Sequence, residues 1–290
     1  MNVLITGVTG LIGSALASEL QRRGDKVIGV SRSPAPDQIS WEAVTPTFLN
    51  EVDAVVNLAG ESIAGRWTKS KKSRILASRV EATSFLANAI GGADNPPSCL
   101  VQASAAGFYG DRGSEILDEF AGPGEGFLSE VCQQWENAAK PVADIGIRTA
   151  VPRFSVVLAN GPGALGRLAL ITRLGIGGPL GGGRQWWSWI SLNDAVMSIL
   201  HLLDHDVSGP VNISTTNPEI QRTFAVTLGK VLRRPALIPA PGFAITAALG
   251  EMGKNLLLDS FRLQPKVLSE TGFVFGDPEL EGALRRILNR

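Results

Sequence analysis

Tyrosine occurs once in this 290-residue chain, at Tyr109, and histidine only twice. Few side chains can therefore move protons near neutral pH, and any mechanism that needs a tyrosine must use that one. Cysteine also occurs twice, as Cys99 and Cys132. That is too few for a disulfide framework and agrees with a reducing compartment. Lys+Arg and Asp+Glu both number 27, so neither charge is in excess. A broad nucleic-acid footprint needs a basic surplus to neutralise phosphates, and none is expected here. No apolar run reaches the roughly 18 residues a membrane span requires. Ala244 to Leu249 is apolar but short. Met1 to Ile5 enters an apolar strand at once, without the basic and apolar regions of a signal peptide, so a cytoplasmic location is expected. With 44% hydrophobic and 19% charged residues, the composition suits a folded chain of one or two domains.

The pattern alternates strands and helices. Val3 to Thr6 is a short apolar run. Leu11 to Arg23 has helical spacing and stops at Gly24. Strands are expected at Lys26 to Ser31, Asp53 to Leu58 and Cys99 to Ser104, and helices at Ser70 to Ile90 and Gly126 to Ile145, the latter with a break at Pro141. Strand pieces at Thr149 to Val151 and Ser155 to Leu158 flank Pro152-Arg153. A helix at Asn193 to Leu203, capped by Asp194, precedes a strand at Val211 to Ser214, and a terminal helix spans Pro278 to Leu288. This alternation predicts an α/β fold with a parallel sheet covered on both faces, its ligand at the carboxyl ends of the strands. Residues 1–160, with elements returning from 195–215, form the expected cofactor domain. Residues 161–290 form a smaller substrate-side lobe, including a C-terminal small domain from about residue 235.

Thr6-Gly7-Val8-Thr9-Gly10-Leu11-Ile12-Gly13 spells TGxxGxxG directly after the first strand and at the start of a helix. There Gly7 allows a tight turn, Gly10 a close approach to a pyrophosphate, and Gly13 close packing of helix on strand. The second strand ends in Ser31-Arg32-Ser33, with no acid before Asp37. An NAD site wants an acid here for the ribose 2′-hydroxyl, whereas Arg32 can hold a 2′-phosphate, so NADP (NADPH) is the expected cofactor.

TGxxGxxG, NLAG at Asn57 to Gly60, and a strand ending in Ser104 before FYG at Phe108 to Gly110 together resemble an extended short-chain dehydrogenase/reductase. Gly60 to Val80, Phe127 to Glu136, Leu174 to Val196 and Leu228 to Pro241 resemble its atypical epimerase-family branch, whose members are sometimes labelled cell-division-inhibitor-like. The resemblance covers essentially the whole chain. It implies a Rossmann-type doubly wound sheet that binds NADP(H), with the C-terminal lobe over the nicotinamide end. By position, Ser31 and Arg32 hold the 2′-phosphate, Leu58 and Ala59 line the adenosine and ribose path, Arg79 contacts the cofactor, and Val157 lies near the nicotinamide. The expected cofactor set is thus Gly7, Thr9, Gly10, Leu11, Ile12, Gly13, Ser31, Arg32, Leu58, Ala59, Gly60, Glu61, Arg79 and Val157.

One departure from that family matters for chemistry. Its usual YxxxK pair gives a proton-transferring tyrosine and a lysine that lowers its pKa. Counting back from Glu136 puts Cys132 at the lysine position and Leu128 at the tyrosine position. Ser104 and Tyr109 are the candidate carbonyl-polarising pair that remains. The bland alternative is that Tyr109 packs and Ser104 bonds locally.

Other features read as structure or stay open. Cys132 reads as a small buried hydrophobe. His201 and His205 lack further ligands, so no metal site is expected. Gly177 to Gly183 with Arg184 reads either as an anion loop walled by Trp186 or Trp187, or as a turn feeding a core strand. Lys69 to Lys72 reads as a solvated helix start. The expected function is an oxidoreductase or epimerase on a small carbonyl or sugar-like substrate. The alternative is a non-catalytic NADP(H)-binding redox sensor or regulatory partner. Expected partners are an unknown small-molecule substrate and, in a homodimer, a second copy of the chain, with no nucleic acid and no membrane.

Overall fold

Val3, Leu4 and Ile5 are fully buried in the first strand, Asn2–Thr6 (β1). A computed structural model describes residues 1–161 and 163–290. Leu11–Arg23 (α1) ends at Gly24, whose φ of 91° is the left-handed conformation that glycine adopts without strain. Lys26–Val30 (β2), Gln38–Ile39 (β3) and Ala54–Asn57 (β4) follow. Lys69–Gly91 (α2), Cys99–Gln102 (β5), Phe127–Asp144 (α3) and Arg148–Phe154 (β6) come next, then Leu192–Asp204 (α4) and Gly209–Ile213 (β7).

The sheet order is β7-β6-β5-β4-β1-β2-β3, and its pairings are parallel. The chain winds outward from β1 in both directions, so the topological switch lies between β1 and β4. Leu16 and Leu20 of α1 share a core with Ile199 and Leu203 of α4 on one face. Leu86 and Ile90 of α2 and Val142 of α3 share another with Leu4, Val55 and Leu100. The Rossmann-type expectation therefore holds, with apolar strands buried on both sides as parallel sheets require.

Three local expectations change. The helix α3 does not break at Pro141 but runs on to Asp144, because a proline in the last turn removes only one bond near the free carbonyl end. Thr149 to Val151 does not stop before Pro152, which lies inside β6. There Val151 and Pro152 fall opposite the gap where pairing passes from Val101 to Ser104. The cap of α4 is Ser191, which accepts from the Asp194 amide. Asp194 instead accepts from the Gly276 and Asp277 amides and ties the C-terminal segment to the helix.

Past β6 the chain builds a second core around Trp187, Trp189, Phe224 and Leu284. The Gly177 to Gly183 loop is laced to the Ile238–Ala240 strap: Ile238 donates to Gly177, Gly181 to Ala240, and Ala240 to Pro179. Trp187 and Trp189 are core, which favours the turn reading of this loop over the anion-loop reading. Trp186 is half-buried under the Arg262 guanidinium, 4.1 Å from its ring. Among the described residues, no helix is long and apolar enough to cross a membrane.

Candidate functional site

The turn after β1 is shaped by two glycines. Gly7 has φ 67°, and a Cβ placed there falls 2.6 Å from the Leu58 carbonyl oxygen. A Cβ on Gly13 falls 2.3 Å from the Gly7 carbonyl oxygen, so any other residue forces α1 off the strand end. The first intrahelical bond runs from Ser14 to Gly10 (2.9 Å). The Leu11, Ile12 and Gly13 amides thus lie in the turn that has no carbonyl to meet. Thr9, Gly10 and Leu11 are exposed, Ile12 is half-buried, and the first turn holds no acid. The helix dipole and these amides make the turn an anion cradle.

Beside it, Asn57 stands at the end of β4, fully buried. It accepts from Thr6 Oγ1 (2.5 Å) and donates to Thr83 and Gln102. This network fixes the half-buried Leu58 and Ala59, whose amide at Ala59 donates to Thr6 Oγ1 (3.2 Å). Arg79 reaches across from α2. Its guanidinium fills the space beside Gly60, lies 4.9 Å over the Trp135 ring, and donates to the carbonyls of Glu61 and Ile75 (3.0 Å each). Burial pulls its pKa below the ordinary arginine value, and the neighbouring Cys132 and Glu61 only partly offset this. No carboxylate pairs with it among the described residues. Glu61 pairs with Lys71 (2.7 Å).

Ser31 closes the β2 end, its amide donating to the Ile39 carbonyl, and the next residue, Arg32, is exposed. Val157 is half-buried in Val156–Leu158, which pairs with Trp189–Ser191, and it packs on the same core as Ile12 and Leu58.

Ser104 and Tyr109 are brought into one chain of hydrogen bonds, but inside the protein. Ser104 Oγ donates to Glu136 Oε1 (2.6 Å). Arg153 grips the same carboxylate with Nε (2.9 Å) and Nη2 (2.8 Å), and its Nη1 donates to the Tyr109 hydroxyl (3.0 Å). That hydroxyl donates to Asn212 Oδ1 (2.7 Å). Tyr109 has no exposed surface and Ser104 only 2%. Burial pushes the Tyr109 pKa up to about 12, with Arg153 opposing. Both hydroxyls of the candidate carbonyl-polarising pair thus have protein partners, the arrangement expected of the alternative in which Tyr109 packs and Ser104 bonds locally. Cys132 is buried too, 3.6 Å from the Ala105 carbonyl, and burial raises its thiol to about 11, so it is no thiolate. His201 and His205 stack with ring centroids 4.0 Å apart.

Arg153 and Asn212 were not singled out by motif or spacing, and Glu136 served only as a counting mark. The signal in the sequence is an arginine following the apolar Ala150-Val151-Pro152 within a strand, a charge that needs a partner when buried.

A family model described as the NAD dependent epimerase/dehydratase family matches residues 3–214. The chain belongs to the NAD dependent epimerase/dehydratase family. A domain of unknown function, DUF1731, matches residues 240–287 of this family member. Epimerase family protein SDR39U1 of Homo sapiens is 37% identical over 293 residues, covering 99% of this chain and 100% of that protein. Epimerase family protein YfhF of Bacillus subtilis is 36% identical over 299 residues, covering 99% and 98%. The crystal structure of human SDR39U1 (isoform 2) with NADPH matches at TM-score 0.94 and 36% identity over 100% of both chains. The UDP-N-acetylglucosamine 4-epimerase of Bacillus cereus, at 20% identity and TM-score 0.78, shares the fold.

Proposed function

We propose that this epimerase/dehydratase family member is an NADP(H)-dependent oxidoreductase or epimerase. Its substrate is a small carbonyl or sugar-like molecule, and its proton chemistry does not run through a Tyr–Lys pair. The observation that carries the reading is the half-buried Arg79, a cation with only carbonyl partners, against Gly60, two residues past the Leu58 carbonyl that the Gly7 turn approaches. Both features suit an anionic dinucleotide: the turn leaves backbone room that side chains would fill, and Arg79 lacks the charge a phosphate brings. The human relative crystallised with NADPH supports the choice of cofactor.

When bound, NADP(H) supplies or accepts the redox equivalents. The chain's own residues bind and orient. The Leu11, Ile12 and Gly13 amides hold the pyrophosphate, Leu58 and Ala59 line the adenosine path, Arg32 reads the 2′-phosphate, and Val157 lies toward the nicotinamide end. Ser104 and Tyr109 hold the floor of the site through Glu136 and Arg153 instead of moving protons. That inward commitment favours one second reading, a non-catalytic NADP(H)-binding sensor.

Equilibrium titration with NADPH and NADH, followed by dihydronicotinamide fluorescence, tests the binding claim. NADPH-selective binding is expected, and absence of binding by either dinucleotide rejects it. Loss of reduced-nicotinamide absorbance with a panel of carbonyl compounds then separates enzyme from sensor.

A further inference from the structure

The first turns of α2 are electrostatically awkward. They carry Lys69, Lys71, Lys72 and Arg74 and no acid, although the positive end of a helix dipole disfavours cations. Thr68 caps the helix by accepting from the Lys71 amide, which leaves the charge problem untouched. Lys72 turns outward to Glu251 (2.5 Å). Lys71 and Arg74 turn toward Glu61, with Lys71 Nζ at 2.7 Å and Arg74 Nε at 3.8 Å from the same oxygen. Arg32 follows β2 and Glu61 follows β4, the two strands that flank β1 in parallel, so both residues stand at the same carboxyl edge of the sheet. The Lys71 hydrogen bond is the largest of the effects that hold the Glu61 pKa below the ordinary carboxylate range. Two cations of α2 thus gather on one carboxylate, and with Arg32 at the same edge of the sheet the three cations and one acid leave two positive charges in surplus.

We infer that Lys71 and Arg74 join Arg32 in holding a phosphate monoester dianion, the 2′-phosphate of the dinucleotide, with Glu61 gathering the two α2 cations around it. The inference rests on the NADP(H) reading above. A phosphate monoester carries about −1.5 to −2 at neutral pH, which matches the surplus, whereas a carboxylate brings about half as much. Arg32 and Arg74 offer planar forks for phosphate oxygens, and Lys71 offers a point charge. Glu61 does not repel the ligand strongly, because Lys71 already neutralises it at contact distance. The pyrophosphate has its own cradle at the start of α1, so the two anions do not compete for one site.

The test uses the full chain and its Lys71→Met, Arg74→Met double variant, which keeps the apolar stems of both side chains. Calorimetric titrations compare NADPH with NADH, and 2′-AMP with 5′-AMP. The double variant is expected to weaken NADPH binding ten- to hundredfold and leave NADH within twofold. Its preference for 2′-AMP over 5′-AMP should shrink by the same factor, with Arg32 retaining the remainder, and NADPH binding should become less sensitive to salt. Unchanged melting temperature confirms that the fold is intact. Equal weakening of NADPH and NADH, or unchanged NADPH binding, overturns the inference while leaving the NADP(H) reading in place. If the unmodified chain binds neither dinucleotide, that reading fails and the inference with it.

Discussion

Arg79 and Arg153 are both guanidinium groups sunk against an aromatic ring, Arg79 4.9 Å over Trp135 and Arg153 3.5 Å over Phe108. Their partners differ. Arg153 meets both oxygens of Glu136, and although burial works against its charge, that carboxylate holds its pKa above the ordinary arginine value. Arg79 meets only carbonyls, and burial leaves its pKa below the ordinary value. A half-buried cation with no carboxylate in contact is costly, and a fold that keeps one is suited to a ligand that brings an anion. The contrast separates a closed network that holds the protein together from an open one, which under the proposed function the cofactor completes.

The contrast can be broken from either side. The largest effect is expected from Arg153→Ala, which strands the Glu136 carboxylate and destabilises the fold by about 3–5 kcal/mol, read as a shift in denaturant midpoint. Arg79→Met should leave the unfolding midpoint nearly unchanged and weaken NADPH and NADH alike, by about 3 kcal/mol. Arg32→Ala sharpens the cofactor side: NADPH loses about 2 kcal/mol and NADH is little changed, measured by titration. Equal loss for both dinucleotides removes Arg32 from the 2′-phosphate.

Tyr109→Phe unpairs an Arg153 donor and the Asn212 acceptor. It should cost about 1.5 kcal/mol of stability while leaving NADPH affinity unchanged. A collapse of turnover without any loss of stability would return Tyr109 to a catalytic role. The smallest effect concerns Asp259, a half-buried acid near Asp111, whose like charge and the acid's own burial outweigh the opposing Lys254. Burial first, then Asp111, raises its pKa from 3.8 to about 6. The folded state therefore holds a proton that the unfolded chain has released. The associated stability is full below about pH 4 and is lost as pH rises through about 6. Asp259→Asn should stabilise the protein by about 1 kcal/mol at pH 7, discounted for solvent screening, and change little at pH 4, by denaturant unfolding.

Legibility in the sequence follows the range of the interactions. The start and end of α1 obey local rules, since Gly10 and Gly13 meet the Gly7 carbonyl and Gly24 caps the helix, and α1 spans the expected Leu11–Arg23. Arg79 was visible only through the family resemblance, because nothing near it in sequence marks an arginine left without a carboxylate. The fate of Tyr109 was hidden, since its hydroxyl is settled by Arg153 and Asn212, 44 and 103 residues away. Asp194 looked like a helix cap because its sequence position suits one. Its real partners lie 82 and 83 residues downstream, where no local pattern points. Lys69 to Lys72 reads locally as a solvated helix start, whereas in the fold Lys71 and Arg74 meet Glu61.

The central claim is that Arg79 is held in reserve for the cofactor while Arg153 is committed to the fold. Calorimetric titration of NADPH into the unmodified chain and into Arg79→Met, with melting temperatures recorded without ligand, tests it most directly. The account predicts a loss of binding of at least tenfold with melting temperatures that agree closely. Retained NADPH affinity together with a large drop in melting temperature would contradict it and make Arg79 a second structural arginine.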